Sequence, residues 1–209
     1  MADQQARQGR FIAFEGGEAS GKSTQAALFA DRIDALLTRE PGGTRLGETI
    51  RSLLLDPDDT AMCDRAEALL FAADRAQHVH EVIAPALAAG RHVVTDRFAA
   101  SSFAYQSYGR GLPLAEIQTL SRFAVDEVWP DLTVLLVVSP EVAEARLGAL
   151  DRLEGVGDGF HRRVAEGFEA MAAADLDHWV RIDAAGTVEE VAARVEAVVA
   201  QHLGWEMTR

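Results

Sequence analysis

Eight residues near the start of the chain, Gly16-Gly17-Glu18-Ala19-Ser20-Gly21-Lys22-Ser23, follow the spacing G-x-x-x-x-G-K-[ST]. Glycines at these positions let backbone N–H groups turn inward and cradle phosphate oxygens. A helix beginning at Lys22 adds the positive end of its dipole. Lys22 can then reach the β- and γ-phosphates, and the Ser23 hydroxyl can ligate Mg²⁺. With 17 glycines and one lysine in 209 residues, the pattern arises by chance on the order of 5 times in 10,000. Lys22 is that one lysine; the other 19 basic residues are arginines. The chain uses arginine wherever a cation will serve, except where a compact ammonium is needed and a planar fork does not fit. The stretch Gly16–Thr24 therefore binds a nucleoside triphosphate.

A phosphate loop serves kinases, GTPases and motors alike, so the reaction must be read from the rest of the site. A guanine-reading N-K-x-D motif requires a second lysine and is excluded. Arg39, Arg51, Arg75, Arg97, Arg110, Arg152 and Arg163 lie in short polar motifs at the ends of predicted elements. Taken singly, each is most simply a surface ion-pair partner. Arg97 stands out because it follows Asp96 at the end of the apolar run His92–Thr95, where open parallel sheets bind ligands. An acid there can hold Mg²⁺ through water, and the adjacent guanidinium can grip a second phosphate.

Strand-like apolar runs must present these groups. Phe11–Glu15, His92–Thr95 and Leu132–Ser139 read as strands, Val180–Asp183 as a weaker one and Leu36–Arg39 as a short one. Helical patterns cover Lys22–Ala35, Leu46–Leu55, Asp64–Ala89, Ala115–Phe123, Pro140–Leu147, Phe160–Ala174 and Val188–His202. Pro85 should kink or split the long third helix near Val82. The alternation predicts a three-layer α/β/α domain around a parallel sheet of about five strands, which with the loop after the first strand makes a phosphate-loop NTPase architecture.

Composition narrows the rest. With 48% hydrophobic and 25% charged residues, no repeat and no linker, the chain reads as one globular domain over residues 1–209. Residues 1–10 are polar and expected to be flexible, with no apolar stretch that suggests export. No run reaches the ~18 apolar residues of a membrane span. The single cysteine, Cys63, fits a reducing, cytoplasmic compartment. A net charge of −13 argues against nucleic-acid or anionic-membrane partners. No pair among His78, His80, His92, His178 and His202 has metal-ligand spacing.

At the level of whole motifs the chain resembles the thymidylate kinases, from Phe11 to about Val198. Phe14-Glu15-Gly16 through Thr24, Thr38-Arg39-Glu40-Pro41-Gly42-Gly43-Thr44 and Leu69-Leu70-Phe71-Ala72-Ala73-Asp74-Arg75 carry the first half. Asp96-Arg97-Phe98, Ala104-Tyr105-Gln106 through Gly109-Arg110-Gly111, Pro130-Asp131-Leu132-Thr133, Asp151-Arg152-Leu153-Glu154 and Ile182-Asp183-Ala184 carry the second. Each piece is moderately specific; all of them in order are highly specific. The resemblance implies transfer of a phosphoryl group from ATP to dTMP with Mg²⁺, in a homodimer formed through the long helices.

The resemblance also assigns roles. Phe71, by itself an ordinary core phenylalanine, falls where the family stacks a ring on thymine. Arg75, one helical turn on, should meet the base edge, with Ser102 and Gln106 near the positions that read its polar groups. Tyr105 matches the tyrosine that crowds the sugar, and Glu18 matches an acid placed for the deoxyribose 3′-OH. Arg51 and Arg97 correspond to the clamp on the dTMP phosphate. Ser23 and Asp96 are the implied metal positions, and Lys22, Asp96, Arg97 and Arg152 the implied catalytic ones. The glycine-bearing stretch around 149–160 corresponds to the lid over ATP. Because the phosphate loop has no arginine, the family pattern places the catalytic arginine in that lid, at Arg152. The chain departs from the pattern in a short Ile33–Thr38 connection, a lid shorter by about two residues, and His161 in place of a second phenylalanine. Another phosphate-loop nucleotide or deoxynucleoside kinase, and a non-catalytic nucleotide-binding switch, are the competing readings.

Overall fold

The computed structural model describes residues 9–56, 61–146, 152–153 and 156–205. The N-terminal stretch 1–8 and, within the expected lid, positions 149–151, 154 and 155 lie outside the described residues. Five parallel strands, β1 (Phe11–Glu15), β2 (Leu36–Arg39), β3 (Val93–Asp96), β4 (Leu132–Val137) and β5 (Trp179–Asp183), form one sheet in the order β2-β3-β1-β4-β5. The parallel α/β architecture expected from the alternation is the one observed.

The central strand shows why the sheet needs helices on both faces. Successive side chains point to opposite faces. Ile12 and Phe14 join one core with Phe29, Val134, Val191 and Val195, while Phe11 and Ala13 join another with Val79, Ile83 and Phe98. The first core is closed by α1 (Lys22–Arg32) and α9 (Val188–Leu203), the second by the segment from Val79 to Leu87. Removing a side chain such as Phe14, fully buried against Phe29, forfeits roughly 1.5–3 kcal/mol of transfer free energy before any cavity term. A third core joins Tyr105 and Leu135 to Phe160 and Phe168. The last two lie on α8 (Asp158–Ala174).

Several boundaries differ from the sequence reading. The long helix is divided into α3 (Asp64–His78), a π-helical turn at Val79–Ile83 and α4 (Ala84–Ala88). Pro85 has no N–H and its ring would press on the carbonyl four residues back, so the chain widens one turn ahead of it. Strand β4 ends at Val137 rather than Ser139, because α7 (Pro140–Arg146) starts immediately and Ser139 Oγ accepts from Val142 N at 3.4 Å. The short connection after α1 closes in three residues, with Asp34 at φ 52° and Ala35 N donating to Ala30 O at 2.9 Å. That leaves β2 a four-residue edge strand in register with β3.

The largest surprise is a helical stretch in a segment without helical periodicity, α5 (Ala99–Ser102) continuing into a π segment at Phe103–Gly109. It packs on α8, and the sequence AASSFAYQSYG carries no apolar stripe that would announce it. The other helices are α2 (Arg45–Leu54) and α6 (Leu114–Val125). Among the described residues no helix is long and apolar enough to cross a membrane.

Candidate active site

The phosphate loop leaves β1 at Gly16, whose φ of 151° is open to glycine and closed to most side chains. A Cβ there would lie 2.5 Å from Leu136 O. Gly21, at φ 85°, turns the chain into α1. Lys22 follows with its ammonium folded back on the loop, donating to Gly17 O at 3.1 Å and lying 3.8 Å from Glu18. Burial, then the neighbouring Arg97 charge, lower its pKa. Both effects raise the value of an anion at this point.

Arg97 reaches the loop from the end of β3. Its backbone sits at φ 72°, a strained conformation for a residue with a Cβ. The guanidinium donates to Gly16 O at 3.2 Å, Ser101 Oγ at 3.1 Å, Glu18 Oε1 at 2.7 Å and Tyr105 OH at 3.1 Å. Burial opposes its charge, but Glu18, Tyr105, Asp96 and Glu15 outweigh burial and raise the pKa. The Tyr105 hydroxyl donates to the same Glu18 oxygen. Burial, ahead of other causes, raises the Tyr105 pKa, so the phenol remains a donor.

Next to this cluster Asp96 Oδ2 accepts from the Ser23 hydroxyl, while Asp96 Oδ1 is buried with no hydrogen-bond partner among the described residues. An orphaned carboxylate oxygen beside a serine hydroxyl is a donor set suited to Mg²⁺. Among the described residues no group of three or more His, Cys, Asp or Glu is arranged to hold a metal ion.

A cavity of about 610 Å³ opens from Lys22, Ser23, Asp96 and Arg97 toward Arg51, Phe71 and Gln106. Glu18, Ser102 and Tyr105 also line it. Phe71 belongs to none of the three buried cores and is only half-buried, which leaves its ring available to a ligand. Arg51 is steered by a bond to Pro41 O at 2.9 Å. Arg75 is fully buried behind the wall, where it donates to Ser102 Oγ at 3.0 Å. Gln106 donates to Glu67 Oε1 at 3.0 Å.

The family model for thymidylate kinase matches residues 14–195. A thymidylate kinase from a Synechococcus species is 53% identical over 198 residues, 92% of this chain and 95% of the relative. One from Bifidobacterium longum is 47% identical over 198 residues, 90% of this chain and 96% of its own. The solved structure of thymidylate kinase from Ehrlichia chaffeensis superposes with a TM-score of 0.76 at 31% identity, covering 91% and 98% of the two chains. The chain belongs to the thymidylate kinase family.

For a thymidylate kinase family member the arrangement brings Glu18, Lys22, Ser23, Asp96, Arg97 and Tyr105 together at one end of the cavity. Arg51, Phe71, Ser102 and Gln106 stand along its walls. Thr24 is exposed on the first turn of α1, and Ser20 is buried within the loop. Arg152 stands apart. Its Nε donates to Leu54 O at 2.7 Å and its Nη2 pairs with Glu67 Oε2 at 2.8 Å. Glu67 also receives Arg110 at 2.9 Å. Burial works against the Glu67 charge, but hydrogen bonds from Arg110 and Gln106 outweigh it and lower the pKa. His161 packs edge-on against its neighbour Phe160, with ring centroids 5.3 Å apart.

Sequence reasoning missed three acids and a serine. Glu15 is fully buried and accepts from Phe98 N at 2.9 Å, Ser101 N at 3.1 Å and Ser101 Oγ at 2.6 Å. Burial pushes its pKa up to about 7. Ser101 accepts in turn from Arg97. Glu40 and Glu67 are likewise buried acids bound to arginines. The available signal was an acid at the end of an apolar strand, as at Glu15, since such an acid must find donors where water is excluded.

Proposed function

We propose that this chain transfers the γ-phosphoryl group of ATP to dTMP, giving dTDP and ADP. The observation that carries the reading is the convergence of Lys22, Arg97 and Glu18 on one end of a cavity whose far wall presents Phe71. Arg51 and Arg97 hold the dTMP phosphate, with Phe71 against the base, Arg75, Ser102 and Gln106 near its polar edge, and Tyr105 beside the sugar. Glu18 takes the 3′-OH. The residues Gly16–Thr24 hold the ATP phosphates.

An oxygen of the dTMP phosphate attacks the γ-phosphorus. The bond from that phosphorus to the β,γ-bridging oxygen breaks, and its electrons leave on ADP. The attacking oxygen is already anionic, so no general base is required. Catalysis is alignment plus electrostatic stabilisation by Lys22 and Arg97, with Arg152 contributed once it leaves Glu67. Mg²⁺ held at Ser23 and Asp96 would neutralise charge on the ATP phosphates. We read residues 1–209 as a single cytoplasmic domain with its lid at about 149–160. We also read it as a homodimer, since α2, α3 and α6 pack side by side and expose Leu46, Leu53, Leu69 and Phe123.

A coupled ADP-release assay over dTMP, dUMP, dCMP, dGMP, AMP and thymidine tests the reading. Strongest turnover with dTMP is expected. A clear preference for any other acceptor overturns it.

A further inference from the structure

Behind the wall that carries Phe71, three buried side chains form a continuous polar chain anchored on β2. Thr38 Oγ1 lies 2.6 Å from His78 Nε2, and His78 Nδ1 lies 3.0 Å from Glu40 Oε1. Glu40 Oε2 then accepts from Arg75 Nε at 2.8 Å. Glu40, Arg75 and His78 are each at most 3% exposed. With Nδ1 protonated, the imidazole donates to Glu40 while Nε2 accepts from the threonine hydroxyl. Gly43 leaves just enough room for the ring: a Cβ at that position would lie 2.5 Å from its Cδ2 and Nε2 atoms.

The chain ends at one guanidinium nitrogen without a hydrogen-bond partner among the described residues. Arg75 spends Nε on Glu40 and Nη2 on Phe98 O and Ser102 Oγ, and its guanidinium carbon lies 5.5 Å from the Phe98 ring centroid. Nη1 is buried with no partner among the described residues. Asp74 does not supply one: its Oδ1 accepts from Gly42 N at 3.0 Å, and its Oδ2 is itself buried with no hydrogen-bond partner among the described residues. Glu40, Phe71 and Ser102 all line the cavity. A guanidinium offers only donors, so a group that meets Nη1 must be an acceptor; a carbonyl oxygen fits and an amino group does not. A site built around a required hydrogen bond rejects the analogue that cannot make it far better than a hydrophobic pocket does.

We propose that Glu40, itself aimed by His78, is a positioning residue for base selection. It holds Arg75 in the one orientation that leaves Nη1 as a donor toward a 4-oxo pyrimidine and against a 4-amino one. The inference rests on the reading of this cavity as the dTMP site. Neither Glu40 nor His78 need touch the nucleotide.

Steady-state kinetics of the purified full chain with dTMP and dCMP test it. Glu40→Gln is expected to raise KM for dTMP about tenfold, with kcat within about threefold and KM for ATP unchanged. The ratio of kcat/KM for dTMP over dCMP should fall about tenfold. His78→Asn keeps a donor near Nδ1, and His78→Gln keeps only the far nitrogen. Discrimination should therefore be higher in the Asn variant, and this pair decides the matter if Glu40→Gln does not fold. Unchanged discrimination in Glu40→Gln, or equal discrimination in the two His78 variants, overturns the relay. Arg75→Lys separates the two levels. If it loses discrimination while Glu40→Gln keeps it, the relay is wrong and the base-site reading stands. If Arg75→Lys itself keeps full discrimination, the base-site reading fails first.

Discussion

Two arginine–glutamate pairs flank the same cavity and are built in opposite ways. Arg97–Glu18 sits at the phosphate end with both side chains still 16–18% exposed, and Glu18 shares its carboxylate with Tyr105. Arg75–Glu40 sits at the other end with both side chains 2% exposed, braced by His78 and Ser102. The first pair stays within reach of a ligand, and in the proposed reading it exchanges partners for a phosphate and a hydroxyl. The second is sealed and can only hold a direction. Breaking a sealed pair leaves a buried charge unmatched, which costs about 3–5 kcal/mol, whereas a pair near solvent trades partners at little cost. Arg152–Glu67 falls between them. It is largely buried, but Glu67 keeps Arg110 and Gln106 if Arg152 departs.

The largest effect expected at the exchangeable end comes from Lys22→Arg. A planar fork cannot occupy the slot between Gly17 O and the phosphates, so kcat should fall by orders of magnitude with the fold intact by circular dichroism. Near-normal kcat would show that this end tolerates any cation and would erase the distinction. Arg152→Ala should lower kcat ~10³-fold while calorimetric dTMP affinity and the melting temperature barely move. A fallen melting temperature with turnover preserved would move Arg152 into the sealed class, as a structural clasp on Glu67.

At the sealed end, Arg75→Ala should destabilise the chain by about 3–5 kcal/mol in chemical denaturation, because Glu40 would be left buried without its cation. A loss under about 1 kcal/mol would mean that water reaches Glu40, and the contrast would collapse. The smallest effect concerns Glu15, whose pKa burial raises from 4.5 to about 7. Its protonated form is favoured in the folded state. The corresponding stability is therefore fully present below about 4.5 and is lost as pH rises through about 7. Wild type should lose stability from pH about 5 to about 8 relative to Glu15→Gln, which lacks that titration. Parallel melting curves for the two proteins would refute the assignment.

How much of this was legible in residue order depends on how local each feature is. The phosphate loop and β1 could be read directly, because a glycine spacing and an apolar run are contiguous and their physics is local. The short β2 was legible for the same reason, as four residues between two motifs. The π segment Phe103–Gly109 was not, since its shape is imposed by packing on α8 rather than by its own periodicity. The turn ahead of Pro85 was half legible. Proline announces a break, but a kink and a widened turn satisfy the same constraint.

The sequence by itself determined that a triphosphate is bound, that the sheet is parallel and that thymidylate kinase motifs occur in their full order. Those conclusions follow from residue types at fixed short spacings. Tertiary structure alone decided which arginine faces which acid. Glu15, Glu40 and Glu67 lie on β1, after β2 and on α3, and nothing in their local sequence tells one buried acid from another. Their partners are chosen by desolvation: once water is excluded, each carboxylate must take the donors that folding delivers within about 3 Å. That choice separates an arginine left within reach of a ligand from one sealed behind the cavity wall.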